Sequence, residues 1–447
     1  MEFVVGVLIL LVGLVVSIAL HEIGHLVPAK RFGVLVPQYM VGFGKTLWSR
    51  TVRGTEYGIK ALPLGGYVRM VGMYPPARRA ERTRPDGRPT LVQEARAAAL
   101  EEVPPGQEHR TFYRLSVPRK LVVMLGGPTM NLLISAVLLA VIATGLGVGQ
   151  NTTTLGAVQE CLPAQTTAAD ADDAGTAAGT AECTPADPAA PGAAAGLRPG
   201  DQVLAWGGTP VDSWADISAA IAAGPAAPTE VTVERDGQRL TLTVTPALAE
   251  RPVLGDDGQP VRGEDGEVRT EQRPFVGIGP TFALVRQPLS AVPGLVWDTF
   301  TGTVEVLLTL PQRLVDIAQA AFGAEERDPS VVGLVGVGRF AGEIASVEGE
   351  GYGLAERSAD MLSLLVSLNM ALFVFNLIPL LPLDGGHVAG ALWEGGRRAV
   401  ARVRDRSDPG PVDTARMLPV TYAVVAVMLG MSVLLAYADI VRPVTLG

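Results

Sequence analysis

Four stretches of this chain run uncharged for about the length of a membrane crossing, and they decide what it can fold into. Phe3–Leu20, Leu121–Gln150, Met361–Leu383 and Met417–Ala438 contain no Asp, Glu, Lys or Arg. At 1.5 Å per residue, about 20 apolar residues cross the hydrocarbon of a bilayer. One such run can be a buried core helix; four in one chain predict a polytopic α-helical membrane protein. Only 18% of the residues are charged, against about 25% in soluble proteins. With 48% hydrophobic residues and a net charge of -9, a mainly disordered or nucleic-acid-binding chain is excluded. The first run follows Met1-Glu2. It lacks a basic start and a convincing cleavage site, so it reads as a retained span.

Charge between the runs orients them. Residues 30–120 hold 17 Lys/Arg and 7 Asp/Glu, whereas residues 149–361 hold 12 and 30. Lys30, Arg31, Arg119, Lys120 and the arginines from Arg397 onward lie near span ends, where basic residues mark the cytoplasmic side. The acidic middle and both termini are therefore expected outside the cell. The only cysteines, Cys161 and Cys183, then fall in an oxidising compartment, which leaves a disulfide or two free thiols in a flexible, alanine- and aspartate-rich insertion.

After the insertion, Leu197-Arg-Pro-Gly-Asp201 reads as a turn into a short strand, Trp214–Ala222 as a helix, and 231–233 with 240–244 as strands joined by Asp236-Gly237. An Asp-Gly pair between alternating strands is a strong hairpin signal. Residues 195–247 resemble a PDZ domain.

His21-Glu22-Ile23-Gly24-His25 carries chemistry. Positions i and i+4 share a helix face, so two imidazoles can bind one metal while the glutamate between them reaches a water. Ionisable groups at the end of an apolar helix are costly and point to function. A catalytic zinc usually takes three protein ligands. Asp384 follows the third apolar run in a proline- and glycine-broken segment, which is tolerated in a membrane only when buried or lining a wet cavity. His387, three residues on, is the rival for the third ligand.

These motifs, with Asn376-Leu-Ile-Pro379 leading to Asp384-Gly385, resemble those of the site-2 protease family of intramembrane zinc metalloproteases, in its bacterial branch that processes anti-sigma factors. The resemblance implies one Zn²⁺ held by His21, His25 and Asp384, with Glu22 as the catalytic base and Asn376 holding the substrate or the transition state. Gly126 and Asn131 sit in a segment similar to the family's Gly-x-x-x-Asn type. Leu62–Val68, with Gly65 and Gly66, resembles its membrane-dipping hairpin, and residues 56–70 are expected to hold substrate by strand addition; an ordinary cytoplasmic turn is the alternative for Gly65 and Gly66, and close helix packing for Gly126, Gly127 and Gly65. His387 is expected either to hydrogen-bond a ligand from behind or to face the cytoplasmic headgroups.

The order expected is a first span over 1–29, a cytoplasmic loop over 30–116 with the hairpin near 56–70, and a second span over 117–149. The insertion follows over 150–194, then the PDZ-like domain and its following loop over 195–280 and amphipathic helices outside over 281–360. A third span over 361–386, a cytoplasmic loop over 387–416 and a last span over 417–438 complete it. The implied partners are single-span membrane proteins such as anti-sigma factors already cut by an upstream site-1 protease, and membrane lipid, in a bacterial plasma membrane. Two rivals stay open: a membrane-anchored zinc protease of misfolded proteins, and a non-enzymatic PDZ-bearing scaffold.

Overall fold

A computed structural model describes residues 1–77, 88–162, 183, 187–253, 268–323, 331–347 and 352–445. About half of the expected insertion over 150–194, and residues 254–267 of the loop expected after the PDZ-like domain, lie outside them. Two compact units emerge: Met1–Gly147 with Arg286–Gly447, and Val148–Val285.

In chain order the helices are α1 (Glu2–Arg31), α2 (Leu91–Glu101), α3 (Val117–Val141), α4 (Pro191–Ala194), α5 (Trp214–Ala223), α6 (Val292–Phe322), α7 (Leu334–Ser346), α8 (Leu354–Asn376), α9 (Asp384–Val403) and α10 (Leu418–Val441). The strands are β1 (Gln38–Val52), β2 (Thr55–Arg69), β3 (Val148–Val158), β4 (Gln202–Trp206), β5 (Thr209–Pro210), β6 (Thr229–Arg235), β7 (Gln238–Val244), β8 (Ala247–Pro252), β9 (Thr270–Phe275) and β10 (Ile278–Val285). Four helical segments are long and apolar enough to cross a membrane: Glu2–Arg31, Val117–Leu146, Leu354–Asn376 and Thr414–Val441. The chain is a polytopic helical membrane protein with a separate β-sheet unit.

Within the helical unit, α1 and α3 meet backbone to backbone. A Cβ on Gly24 would land on the Gly126 carbonyl, and one on Gly126 would land on that of Gly24. Small residues permit this approach between apolar helices. Polar bonds tie α8 to both: Ser135 Oγ donates to the Val366 carbonyl (2.9 Å), and Asn369 Nδ2 donates to Ser17 Oγ (3.0 Å). Such groups gain partners where no water competes.

Two sequence expectations are revised in this unit. The hairpin begins at Gln38, not near 56; β1 pairs antiparallel with β2 around Arg53-Gly54, both at positive φ (51° and 79°). Gly42, Gly44 and an irregular register blur the alternation that marks a strand. The expected loop over 387–416 contains the 20-residue helix α9. Its five glycines and its arginines hide the helical period from a sequence reading. Within 281–360, where helices are expected, α6 is one continuous helix of 31 residues, packed on α8 and α10 through Phe300–Phe373 and Phe322–Tyr437 ring contacts, and α7 follows it.

The second unit is a sheet ordered β10-β3-β4-β6-β7, with β5 pairing β4, and a separate β8–β9 pair. Its core, including Leu155, Val203, Ile217, Val231, Val233 and Val244, is fully buried. Asp236 and Gly237 both take positive φ (51° and 75°), as the tight β6–β7 turn requires. Strand β3 corrects the expected insertion, which was drawn from residue 150: its run of threonines and glycines carries a weak strand pattern, yet Leu155 anchors the core. Cys161 and Cys183 are joined in a disulfide.

The PDZ-like turn is fastened by Asp201, which is 1% exposed. Its carboxylate accepts from Arg235 Nε (2.6 Å) and Nη2 (2.7 Å) and from the Arg198 amide (2.8 Å). Burial works to raise this carboxyl, yet the Arg235 and Arg198 bonds outweigh it and hold it below the usual carboxylate range. A group depressed on folding adds stability above its unfolded value, near 3.9, and loses it as pH falls toward the folded one. Asp201→Asn is therefore expected to lower the melting midpoint of this unit at pH 7 and to flatten its acid dependence below about pH 4. Thermal melts with Trp206 as the sole reporter tryptophan check this; an unchanged acid limb would assign it to other carboxylates.

Candidate metal centre

Helix α1 sets His21 and His25 one turn apart on the face turned toward α3. Asp384 opens α9, close behind the end of α8, where Gly385 and Gly386 lie tight against the backbone of 377–381. Across about 360 residues of chain, this brings three donor atoms together. His21 Nε2 and His25 Nε2 stand 3.2 Å apart, and Asp384 Oδ2 is 3.4 Å from the first and 3.2 Å from the second.

That triangle tests the fit of a metal. Nitrogen and oxygen ligands about 2.0–2.1 Å from a tetrahedral centre are separated by about 3.3 Å. His25 Nδ1 donates to the Val123 carbonyl (2.8 Å), so its Nε2 carries a free lone pair. Electron-pair donors crowded this way repel one another unless a cation sits among them. The cluster is compatible with a single zinc-binding site, and it is the group of His, Cys, Asp or Glu found at metal-ligand spacing among the described residues.

Glu22, 9% exposed, lies within electrostatic reach of all three side chains and hydrogen-bonds the Val68 backbone. Hairpin strand β2 passes directly over it: a Cβ on Gly66 would come within 2.8 Å of Glu22 Cγ. The hairpin is pinned there by Tyr39, whose hydroxyl donates to the Ala19 carbonyl (2.8 Å), and by a Lys30–Tyr57 bond (2.8 Å).

The other expected residues separate. Gly65, at φ 148°, faces the Phe43 ring. Gly126 faces Gly24, the packing alternative. Asn376 Nδ2 donates to Leu372 of its own helix (2.9 Å). Asn131 is fully buried, and its amide has no hydrogen-bond partner among the described residues. His387 is not in the triangle; it lines a cleft with Lys120, Tyr113, Glu394 and Thr414. Gly127, for which the sequence leaves close packing and a substrate role open, does neither of these alone. A Cβ there would land on His25 Nε2 and stand 2.7 Å from His21 Nε2. Gly126 and Gly127 are alike in the sequence, and only the crossing of α1 and α3 separates them.

Fold and site together define a membrane-embedded metallopeptidase. The profile of Peptidase family M50 matches residues 9–407. The chain belongs to this family and is homologous to site-2 zinc metalloproteases. It is 32% identical over the full length of both chains to "Zinc metalloprotease Rip1" of Mycobacterium tuberculosis. It is 29% identical to "Metalloprotease MmpA" of Caulobacter vibrioides, over 87% of each chain. To "Zinc metalloprotease RasP" of Geobacillus kaustophilus it is 26% identical, over 82% of this chain and 84% of that one. At the level of the family, the activity is zinc-dependent intramembrane endopeptidase cleavage.

Proposed function

We propose that this protein cuts single-span membrane proteins, such as membrane-bound anti-sigma factors, inside their transmembrane helix after an earlier cut has removed the ectodomain. The observation that carries this reading is the His21–His25–Asp384 triangle with Glu22 beside it, set on a helix apolar enough to span a membrane.

In this reading His21, His25 and Asp384 hold one Zn²⁺. When bound, the ion supplies a Lewis acid that polarises the scissile carbonyl and acidifies a water. Glu22 takes the proton from the attacking water and passes it to the departing amide nitrogen. Asn376, turned from its bond to Leu372, donates to the oxyanion or to the substrate backbone. A helical substrate hides its amides in its own hydrogen bonds. The free edge of β2 beside Glu22 holds the unwound segment by strand addition. Basic residues near the span ends support a cytoplasmic site, with both termini and the acidic β-sheet unit outside the plasma membrane. There the PDZ-like turn suits capture of a new C-terminus or exclusion of uncut substrates.

The test is reconstitution of the full chain in vesicles with a single-span reporter whose ectodomain is truncated. We expect cleavage within the reporter's span that releases its cytoplasmic part, stops on chelation, returns with zinc, and is absent in Asp384→Ala. Cleavage confined to soluble unfolded protein would favour the membrane-anchored quality-control protease. Insensitivity to chelation would end the zinc reading.

A further inference from the structure

Asp384 is the first residue of α9, so its place depends on how that helix is held against α3. Apart from Glu394, the fully buried residues of α9 are small, Gly385, Ala391 and Ala401, and Val388 adds one half-buried contact with the core formed by α1 and α3. Leu392, Trp393, Val400 and Val403 are exposed. An interface of mostly small residues sets little register, and a slide by one residue moves a helix 1.5 Å and turns it 100°. Either change would break a triangle whose edges are 3.2–3.4 Å.

One buried group is different. Glu394, 2% exposed, accepts from Lys120 Nζ of α3 at 2.7 Å, and Lys120 is itself 5% exposed. The same carboxylate oxygen accepts from the Val412 amide (3.1 Å), and its other oxygen is 3.1 Å from Arg398 Nη2. Arg398 continues to Asp408 (3.3 Å). Lys120 lies two turns before Gly127, which faces the two histidines, and Glu394 lies nearly three turns after Asp384. The pair thus ties the helix that abuts the histidine ligands to the helix that brings the carboxylate. A buried ion pair adds little net stability, because desolvation offsets its attraction, but its directional bonds can fix one arrangement among several.

We propose that Lys120 and Glu394 are positioning residues whose buried pair sets the register of α9 on α3 and so places Asp384 against His21 and His25. This rests on the zinc reading above. It predicts that zinc affinity falls while the fold is kept. Groups that orient metal ligands typically change affinity by about 10–100-fold.

The experiment is chelator competition for zinc, with the thermal midpoint measured in parallel, on the full chain in detergent or nanodiscs. Lys120→Met/Glu394→Leu removes both charges at similar volume, and Glu394→Gln keeps shape with a weaker bond to Lys120. We expect about tenfold or greater loss of zinc affinity in the double variant with a midpoint near wild type, a smaller loss in Glu394→Gln with a lowered midpoint because one buried charge is left unpaired, and wild-type affinity in Lys120→Arg. Wild-type zinc affinity in both pair variants, with zinc lost in Asp384→Ala, would overturn the proposal alone. Wild-type affinity in Asp384→Ala would overturn the reading of the site, and this proposal with it.

Discussion

Glu22→Gln should leave zinc bound and reduce cleavage of a truncated single-span reporter by about 10²–10⁴-fold, the usual contribution of a positioned acid–base group. Glutamine matches glutamate in size, so the buried space beside Gly66 and Val68 stays filled. It can accept a hydrogen bond but cannot carry a proton from water to a leaving nitrogen. The three donor atoms belong to other residues, so zinc content should match wild type. Turnover that survives intact would remove Glu22 from the chemistry. Loss of zinc along with turnover would instead make Glu22 a structural support of the metal site.

The second large effect is expected at Gly127. Alanine is the better helix former by about 0.8–1.0 kcal/mol in a helix interior, so Gly127→Ala should not weaken α3 itself. Its methyl group, however, would land on His25 Nε2 and 2.7 Å from His21 Nε2. Helix α3 cannot readily retreat, because Gly24 and Gly126 already hold it in backbone contact with α1. We expect a folded protein with zinc affinity lowered by about 100-fold or more, since two ligands must leave the positions that His25 Nδ1 and the i, i+4 spacing define. Elemental analysis and chelator competition measure this. Full zinc occupancy in Gly127→Ala would show that the imidazoles can move aside, and the tight triangle would not be needed for binding.

How far the sequence foretells this molecule depends on the range of each interaction. The histidines and Glu22 are legible because their spacing is local to one helix. Asp384 is legible because a carboxylate directly after an apolar run is expensive without a purpose. Gly127 and Gly126 look alike in the chain, and only the crossing of α1 and α3 tells the ligand neighbour from the packing contact. The Lys120–Glu394 pair joins residues 274 positions apart, and no pattern in either neighbourhood announces it. Helix α9 and strand β1 are hidden by glycines that weaken the local period; tertiary packing overrides that weakness. Strand β3 is similar: a single well-placed Leu155 outweighs a poorly patterned stretch.

The separation of the donors along the chain also has a consequence in time. Synthesis runs from the N-terminus at about 5–20 residues per second, so His21 and His25 are made at the start and Asp384 near the end. A growing chain threaded into the membrane therefore carries two of the three donors and no complete centre until its third long apolar helix has been produced. A copy that ends before Asp384 therefore lacks the third donor.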